Sequence, residues 1–194
     1  MMRRILRLLA CGAVVLSLVA CTPTGCAVGD TQDSMPSVAH DSTHKTDITV
    51  GFVGSTDTAA DKKAIDALAD DTLNVYYASL DTSGDSETAD KIAATAQQGI
   101  TDFVDRAVKI VIISGIDVTD ANRDSWNQAL TNAREAGIPV ALLNPKHAPE
   151  DELLYAAILD TVDAASAKSV SIADAVITIA RDEPHDRTIA VATE

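Results

Sequence analysis

Residues 108–114 read Val-Lys-Ile-Val-Ile-Ile-Ser and are the stretch that decides the fold. A nearly unbroken run of β-branched residues is typical of a strand that is buried on both faces of a parallel sheet. Residues 120–136 follow with Trp126 and three smaller apolar residues at inward helical spacing, and Gly137 is suited to end that helix. Residues 138–143, Ile-Pro-Val-Ala-Leu-Leu, then predict the next strand.

The same alternation continues outward in both directions. Further strands are predicted at 48–53, 73–80, 153–159 and 188–192, and further helices from Thr58, at 86–106 and at 163–181. Thr58 and Asp61 have the spacing of a weak capping box. Strands that alternate with helices predict an α/β fold with a doubly wound parallel sheet.

Ligands of such sheets bind at the carboxyl ends of the strands, which selects four polar loops. The loops are 54–58, 81–85, 114–119 and 144–149. Ser114 and Asp117 are expected either to contact a ligand or to turn the chain and cap the next helix. Asp57 is expected either to bind a ligand or to favour a helix terminus, and Asn144 is the foremost candidate. Trp126 fits the core better than the border of a cleft.

Two phrases carry a family resemblance. They are Phe-Val-Asp-Arg-Ala-Val-Lys-Ile-Val-Ile-Ile at 103–113 and Asn-Ala-Arg-Glu-Ala-Gly-Ile-Pro-Val at 132–140, with Trp126 at the head of its helix. With the strand and helix order, they resemble the periplasmic sugar-binding proteins of the ribose and galactofuranose type, which are solute receptors of ABC importers. The resemblance implies a type I periplasmic binding fold with two lobes. Residues 48–160 would form the first lobe and 161–194 the start of a truncated second lobe.

The loops at the strand ends and the resemblance together give the candidate ligand-binding positions. They are Ser55, Asp57, Ser114, Asp117, Asn144 and Asp163. The first loop lacks the aromatic residue that often stacks on the sugar in this family. Asn144-Pro145 stands where many relatives have Asp-Arg, whose guanidinium forks across sugar oxygens. Asp163 resembles the carboxylate or carboxamide position after the fifth strand.

The amino terminus has the order of an export signal. Residues 1–7 carry three arginines, and Ile5 to Val19 form an almost wholly apolar run that is shorter than a membrane span. Leu-Val-Ala-Cys at 18–21 resembles the bacterial lipobox, so residues 1–20 are predicted to be a signal peptide and Cys21 to carry palmitate and related acyl chains. Residues 21–47 are rich in Thr, Ser, Asp and Gly and predict a flexible tether.

Composition excludes several classes of function. A formal net charge of −14 argues against nucleic-acid partners, which need excess Lys and Arg. The Cys residues all lie at or before position 26, and His40 and His44 lie in a Ser-rich and Thr-rich linker, so no metal site is predicted. No phosphate-binding glycine motif or Gly-x-Ser-x-Gly elbow occurs, so neither a cofactor nor an enzyme activity is expected.

Two functions remain open at this point. The first is a solute-binding lipoprotein, held on the extracytoplasmic face of the cell membrane, which delivers a monosaccharide to the permease subunits of an ABC importer. The alternative is a truncated or degenerate receptor that binds no sugar and acts as a surface interaction lipoprotein. Residues 161–194 are expected to pack less well than the rest, with Val170, Ile179 and Ile189 partly exposed.

Overall fold

The computed structural model describes residues 44–80, 89–163 and 168–193. The strands are β1 (Thr49–Val53), β2 (Asn74–Ala78), β3 (Ile110–Ser114), β4 (Val140–Leu143), β5 (Ala157–Thr161), β6 (Val170–Ser171) and β7 (Thr188–Ala192). The helices are α1 (Thr58–Asp70), α2 (Ala89–Asp105), α3 (Arg123–Glu135) and α4 (Ile172–Ala180), with 3-10 turns at Lys45–Asp47 and Glu152–Leu154. The predicted signal peptide, Cys21, residues 22–43 of the tether and the loop 81–85 lie outside the described residues.

The strands form one parallel sheet in the order β2-β1-β3-β4-β5-β7-β6. Each right-handed crossover of such a sheet places a helix on one face or the other. The side chains of α1 and α4 share one apolar cluster, and those of α2 and α3 share another. The predicted α/β fold with a parallel, doubly wound sheet is confirmed.

β3 shows why the apolar run at its centre specifies this architecture. Ile110 and Ile112 point into the cluster of α1 and α4, whereas Val111 and Ile113 point into the cluster of α2 and α3. Successive side chains of a strand alternate between faces, so a strand covered on both faces must be apolar at every position. All residues of β3 are buried.

The helix ends are set by local chemistry. Asp57 is the N-cap of α1, and its side chain accepts a hydrogen bond from Ala60 N at 3.0 Å. The predicted capping box at Thr58 and Asp61 is wrong, because Thr58 is already helical and Asp61 turns back toward the preceding loop. Gly137 has φ +74° and ends α3 as predicted, with its N–H bonded to Arg134 O at 2.9 Å.

Two predicted elements are shifted in the structure. The strand predicted at 153–159 begins later, because Asp151 accepts a hydrogen bond from Leu153 N and caps a 3-10 turn before β5. The helix predicted at 163–181 begins only at Ile172, where Ser171 accepts from Asp174 N at 2.9 Å. The last residues of the predicted tether also differ, since Lys45–Asp47 forms a turn and Lys45 pairs with Asp71 at 3.1 Å.

The C-terminal elements belong to the same sheet as the others. The predicted boundary at 160/161 falls within β5, and β7 pairs directly with β5 from Ile158 to Thr161. Ile179 is 1% exposed, so the prediction that it is partly exposed is wrong, whereas Val170 is 42% exposed as predicted. Ile179 is buried because α4 packs beside α1 over the sheet, which supplies the apolar surface that the prediction assumed to be missing.

Within the described ranges, none of the helices is long and apolar enough to cross a membrane.

Candidate functional site

A cleft lies at the carboxyl ends of β1, β3, β4 and β5. Its volume is about 730 Å³. The ends of parallel strands converge there with the amino end of α1, so side chains that are far apart in sequence share one wall. The polar side chains of the lining are Asp57, Lys63, Ser114, Asn144, Thr161, Asp163 and Thr193.

The loop from β1 to α1 is fixed by a buried carboxylate. Asp61 is 1% exposed and accepts hydrogen bonds from Ser55 N at 2.6 Å and from Ser55 Oγ at 3.0 Å. Ser55 Oγ in turn accepts from Asp57 N at 3.0 Å. These bonds fix the backbone of the loop up to Asp57 N, and the Asp57 carboxylate, which accepts from Ala60 N, lies in the lining of the cleft.

Asn144 occupies the turn after β4 in an unusual backbone conformation. Its φ is +45°, a left-handed region that asparagine tolerates better than most residues. Asn144 Nδ2 donates to Thr161 Oγ1 at 2.5 Å, and Asn144 Oδ1 accepts from Thr161 N at 2.9 Å. An amide nitrogen carries two hydrogens, so the second hydrogen of Nδ2 is available at the cleft.

Charges of both signs meet at the cleft. Asp57 and Asp163 contribute carboxylates, and Lys63 contributes an ammonium group from the next turn of α1. Lys63 makes no ion pair with a carboxylate in the described part of the chain. A ligand with several neutral polar groups can therefore meet acceptors and a donor in one place.

Four of the predicted site residues line this cleft, namely Asp57, Ser114, Asn144 and Asp163. Ser55 and Asp117 do not; they border a second cavity on the side of α2 and α3, which Ser114 also borders. Ser55 is 9% exposed and is engaged with Asp61, and Asp117 is engaged with His147.

Sequence reasoning missed three polar residues of the cleft, namely Lys63, Thr161 and Thr193. Lys63 lies four residues after Ala59 on α1, a helical spacing that places both residues on the face that lines the cleft. Thr161 was missed because the fifth strand was predicted to end at residue 159, whereas β5 ends at Thr161.

His147 and Asp117 form a pair at the neighbouring loops. His147 Nδ1 lies 2.7 Å from Asp117 Oδ1, and the two residues are joined by a parallel backbone bridge. Both side chains are substantially exposed. No serine or threonine hydroxyl is hydrogen-bonded to this imidazole in the residues that the structure covers, so the pair lacks the third member of a nucleophilic triad.

Across residues 44–80, 89–163 and 168–193, no three or more His, Cys, Asp or Glu side chains converge in a way that could hold a metal ion.

No protein-family model matches the chain, and no curated protein sequence matches it. Among solved structures it is similar to a galactofuranose-binding protein, with 21% identity over 59% of this chain and 36% of that chain at a TM-score of 0.45. It is also similar to a Mycobacterium smegmatis protein in complex with β-D-fucofuranose, with 19% identity over 59% of this chain and 34% of that one at a TM-score of 0.44.

A third similar structure is the periplasmic binding protein component of the arabinose ABC transporter from Shewanella sp. ANA-3, bound to α- and β-L-arabinofuranose. The identity is 18% over 58% of this chain and 34% of that chain, at a TM-score of 0.44. The matched region thus spans about a third of each of these structures. At these sequence identities and TM-scores the similarity gives no information about the function of this chain.

Proposed function

We propose that this chain is a lipid-anchored, sugar-binding component of an ABC-type importer and holds a monosaccharide in the cleft at the carboxyl ends of its strands. The observation that carries the proposal is the lining of that cleft. It combines carboxylate, amide, hydroxyl and ammonium groups around about 730 Å³. Each hydroxyl of a sugar both donates and accepts, so a lining with both kinds of group matches a polyol.

The individual side chains suit distinct parts of a polyol. The carboxylates of Asp57 and Asp163 accept hydrogen bonds from sugar hydroxyls, and such charge-assisted bonds are stronger than neutral ones. Lys63 Nζ and the second amide hydrogen of Asn144 donate to hydroxyl or ring oxygens. Because Thr161 holds the Asn144 amide, that donor is oriented before the ligand arrives.

The cleft of the described residues has no aromatic side chain in its lining. A sugar therefore gains no stacking on a ring in this lining. We expect a dissociation constant of about 1 mM, which corresponds to about 4 kcal/mol of binding free energy.

The proposal of binding without catalysis rests on the chemistry of the titratable groups. The exposed His147 and Asp117 pair has no hydroxyl nucleophile within hydrogen-bonding reach in the described ranges. The chain is acidic, so solvated carboxylates are common on its surface. The carboxylates of the cleft therefore do not by themselves point to acid–base catalysis.

The cellular placement is proposed from the sequence. The Leu-Val-Ala-Cys motif supports an acylated Cys21, and two or three acyl chains give stable membrane attachment. The protein would then stand on the extracytoplasmic face of the cell membrane and present its cleft to the permease subunits.

Isothermal titration calorimetry with ribose, galactose, arabinose and xylose tests the binding function. At least one sugar is expected to bind saturably with a dissociation constant of about 1 mM. Lys63→Ala should weaken that binding about tenfold, because it removes a charge-assisted hydrogen bond from Nζ to a sugar oxygen. Lys63 is exposed, so its removal should not disturb the fold. Asn144→Ala should have a similar effect.

Asn74→Ala is the matched control, because Asn74 is an exposed asparagine at the opposite, amino-terminal end of the sheet. It should leave the affinity unchanged. Absence of saturable binding for all four sugars up to about 100 mM, well above the expected constant, would refute the proposed function.

A further inference from the structure

The strand β2 forms one edge of the sheet. It pairs with β1 on one side, and within the described ranges no strand pairs with its other side. The N–H of Asn74 and the C=O of Ala78 bond to the residues that flank β1, at N···O distances of 3.3 and 2.9 Å. The backbone groups of successive residues in a strand point to opposite sides. The N–H and C=O groups of Val75 and Tyr77 therefore point away from β1 and are open to a further strand.

β2 lacks the features that usually protect such an edge. Natural edge strands are blunted by charged residues, especially lysine, by proline or by a bulge. Residues 73–80, Leu-Asn-Val-Tyr-Tyr-Ala-Ser-Leu, contain no charged residue and no proline, although the chain has a formal net charge of −14. The pairing of β2 with β1 is continuous from Asn74 to Ala78, without a bulge. A strand added at this edge would meet no charge of β2.

The same strand exposes two adjacent aromatic side chains. Tyr76 is 38% exposed, and Tyr77 is 43% exposed. The guanidinium of Arg106, just after α2, lies over the Tyr76 ring, whereas the Tyr77 ring contacts Phe52 on the face that α1 covers. The two tyrosines thus lie on opposite faces of the sheet. Aromatic side chains contribute strongly to the interfaces that cover them, and an added strand would cover both rings.

We propose that the β2 edges of two copies of this chain pair with each other, antiparallel, about a two-fold axis at Tyr76. In this register Val75 of each copy lies opposite Tyr77 of the other. Two residues paired in this way exchange both of their backbone hydrogen bonds. The outward N–H and C=O groups of Val75 and Tyr77 are then all satisfied in both copies.

The neighbouring symmetric registers are less favourable. An axis at Val75 would place Tyr77 opposite Leu73, whose N–H already donates to Leu68 O at 3.1 Å. An axis at Tyr77 would place Val75 opposite Ser79, which lies beyond the end of β2. Only the axis at Tyr76 pairs outward groups that both lie within the strand.

A second copy is the partner that this edge fits, because the side chains are also self-complementary in that register. Tyr76 of one copy lies directly opposite Tyr76 of the other on one face. Val75 lies opposite Tyr77 on the other face. Pairs of two aromatic residues, or of an aromatic and a β-branched residue, are among those that stabilise antiparallel strands. The shared seam is short, so we expect a weak dimer that forms as the protein concentration rises.

The inference does not depend on sugar binding. No residue of β2 lines the larger cleft. A two-fold axis between antiparallel strands places the carboxyl ends of the two sheets at opposite ends of the dimer, so neither copy covers the cleft of the other.

Sedimentation velocity of the full chain over a range of concentrations tests the association. The wild-type chain should shift from monomer to dimer. Tyr76→Lys places two ammonium groups opposite each other and should weaken the association at least about tenfold. Leu153→Lys is the matched control, because Leu153 is 41% exposed but precedes β5, which β1, β3 and β4 separate from β2. It should leave the association unchanged.

Disulfide formation tests the register and decides the matter if Tyr76→Lys does not fold. The chain is used with serine in place of its own cysteines, which are Cys11, Cys21 and Cys26. Tyr76→Cys should form a disulfide-linked dimer, because residues in this kind of pair have Cα atoms about 4.5 Å apart, within the range of a disulfide. Asn74→Cys on the same face should not, since the two copies of residue 74 would lie about 14 Å apart.

A full chain that stays monomeric at every concentration would overturn the proposal. Association that Tyr76→Lys leaves unchanged would also overturn it, because the contact would then lie elsewhere in the chain. Equal disulfide formation by Tyr76→Cys and Asn74→Cys would refute the register. Slow hydrogen exchange of the Val75 and Tyr77 amides in dilute, monomeric protein would count against the proposal as well, because a segment of the same chain would then cover the edge.

Discussion

Asn144 and Thr161 join the carboxyl ends of two neighbouring strands through their side chains. Asn144 Nδ2 lies 2.5 Å from Thr161 Oγ1, and Thr161 N lies 2.9 Å from Asn144 Oδ1. Asn144 also takes a φ of +45° as the chain leaves β4. One residue therefore sets the backbone turn, connects β4 to β5 and faces the cleft.

Asn144→Ala should lower the free energy of unfolding by about 2 kcal/mol. The substitution removes both hydrogen bonds of the side-chain amide to Thr161 and leaves at positive φ an alanine, which tolerates that conformation less well than asparagine does. Asn144→Gly should cost about 1 kcal/mol less than Asn144→Ala, since glycine adopts this φ freely. Urea unfolding of the two variants measures the difference. Equal losses would show that the backbone conformation contributes nothing.

Asp61→Ala should lower the free energy of unfolding by about 1–3 kcal/mol, because Ser55 N–H would be left buried without an acceptor. Asp66→Ala on the same helix is the control. The Asp66 side chain is 56% exposed, and its removal should cost less than about 0.5 kcal/mol. The proposed role of Asp61 is contradicted if the two variants unfold at the same urea concentration.

Gly51→Ala should destabilise the protein by about 1–3 kcal/mol, because a Cβ at this position would lie 2.5 Å from Phe103 Cγ. Shortening the opposing side chain should relieve the clash. In a double-mutant cycle, Gly51→Ala combined with Phe103→Ala, which removes the Cγ and Cδ2 atoms of the ring, should therefore cost less than the sum of the single changes. Strict additivity would mean that the ring does not limit this position.

Ile179→Ala should lower the free energy of unfolding by about 2–5 kcal/mol. Ile179 lies on α4, is 1% exposed and packs in the apolar cluster that this helix forms with the sheet. Val170→Ala, at a position that is 42% exposed, should change it by less than about 0.5 kcal/mol. Thermal unfolding of both variants compares them. A small effect of Ile179→Ala would show that α4 docks weakly.

Labelled palmitate should enter the wild-type protein in a bacterial host that exports it, and Cys21→Ser should release the chain into the soluble fraction. Label that remains on Cys21→Ser would refute the proposed anchor. Cys26→Ser is the matched control and should leave both the label and the membrane fraction unchanged.

Strands that are buried on both faces can be recognised from the sequence by their unbroken apolar runs. β3 and β4 lie within the predicted runs. A short run with an apolar residue at nearly every position is typical of a strand that is covered on both faces. β5 begins later than the sequence predicts, because Leu153 and Leu154 resemble strand residues but lie in a 3-10 turn that Asp151 caps. The two-residue strand β6 is too short to leave a pattern.

The candidate site was predictable where a residue directly follows a strand. Ser114 ends β3 and Asn144 follows β4, so the topology alone brings them to one edge. The partnership of Ser55 with Asp61 was not predictable, because it depends on the direction in which one helical carboxylate turns. Lys63 was missed for a similar reason, since a lysine in an amphipathic helix is usually solvated.

The strand order β5-β7-β6 affects how the chain can be assembled during translation. β7 lies between β5 and β6 but is made after both, so β5 presents an unpaired edge until residues 188–192 have left the ribosome. An unpaired edge can template pairing with another chain. Nascent copies that stall before residue 188 should therefore associate through β5, and the arrival of β7 should end that exposure.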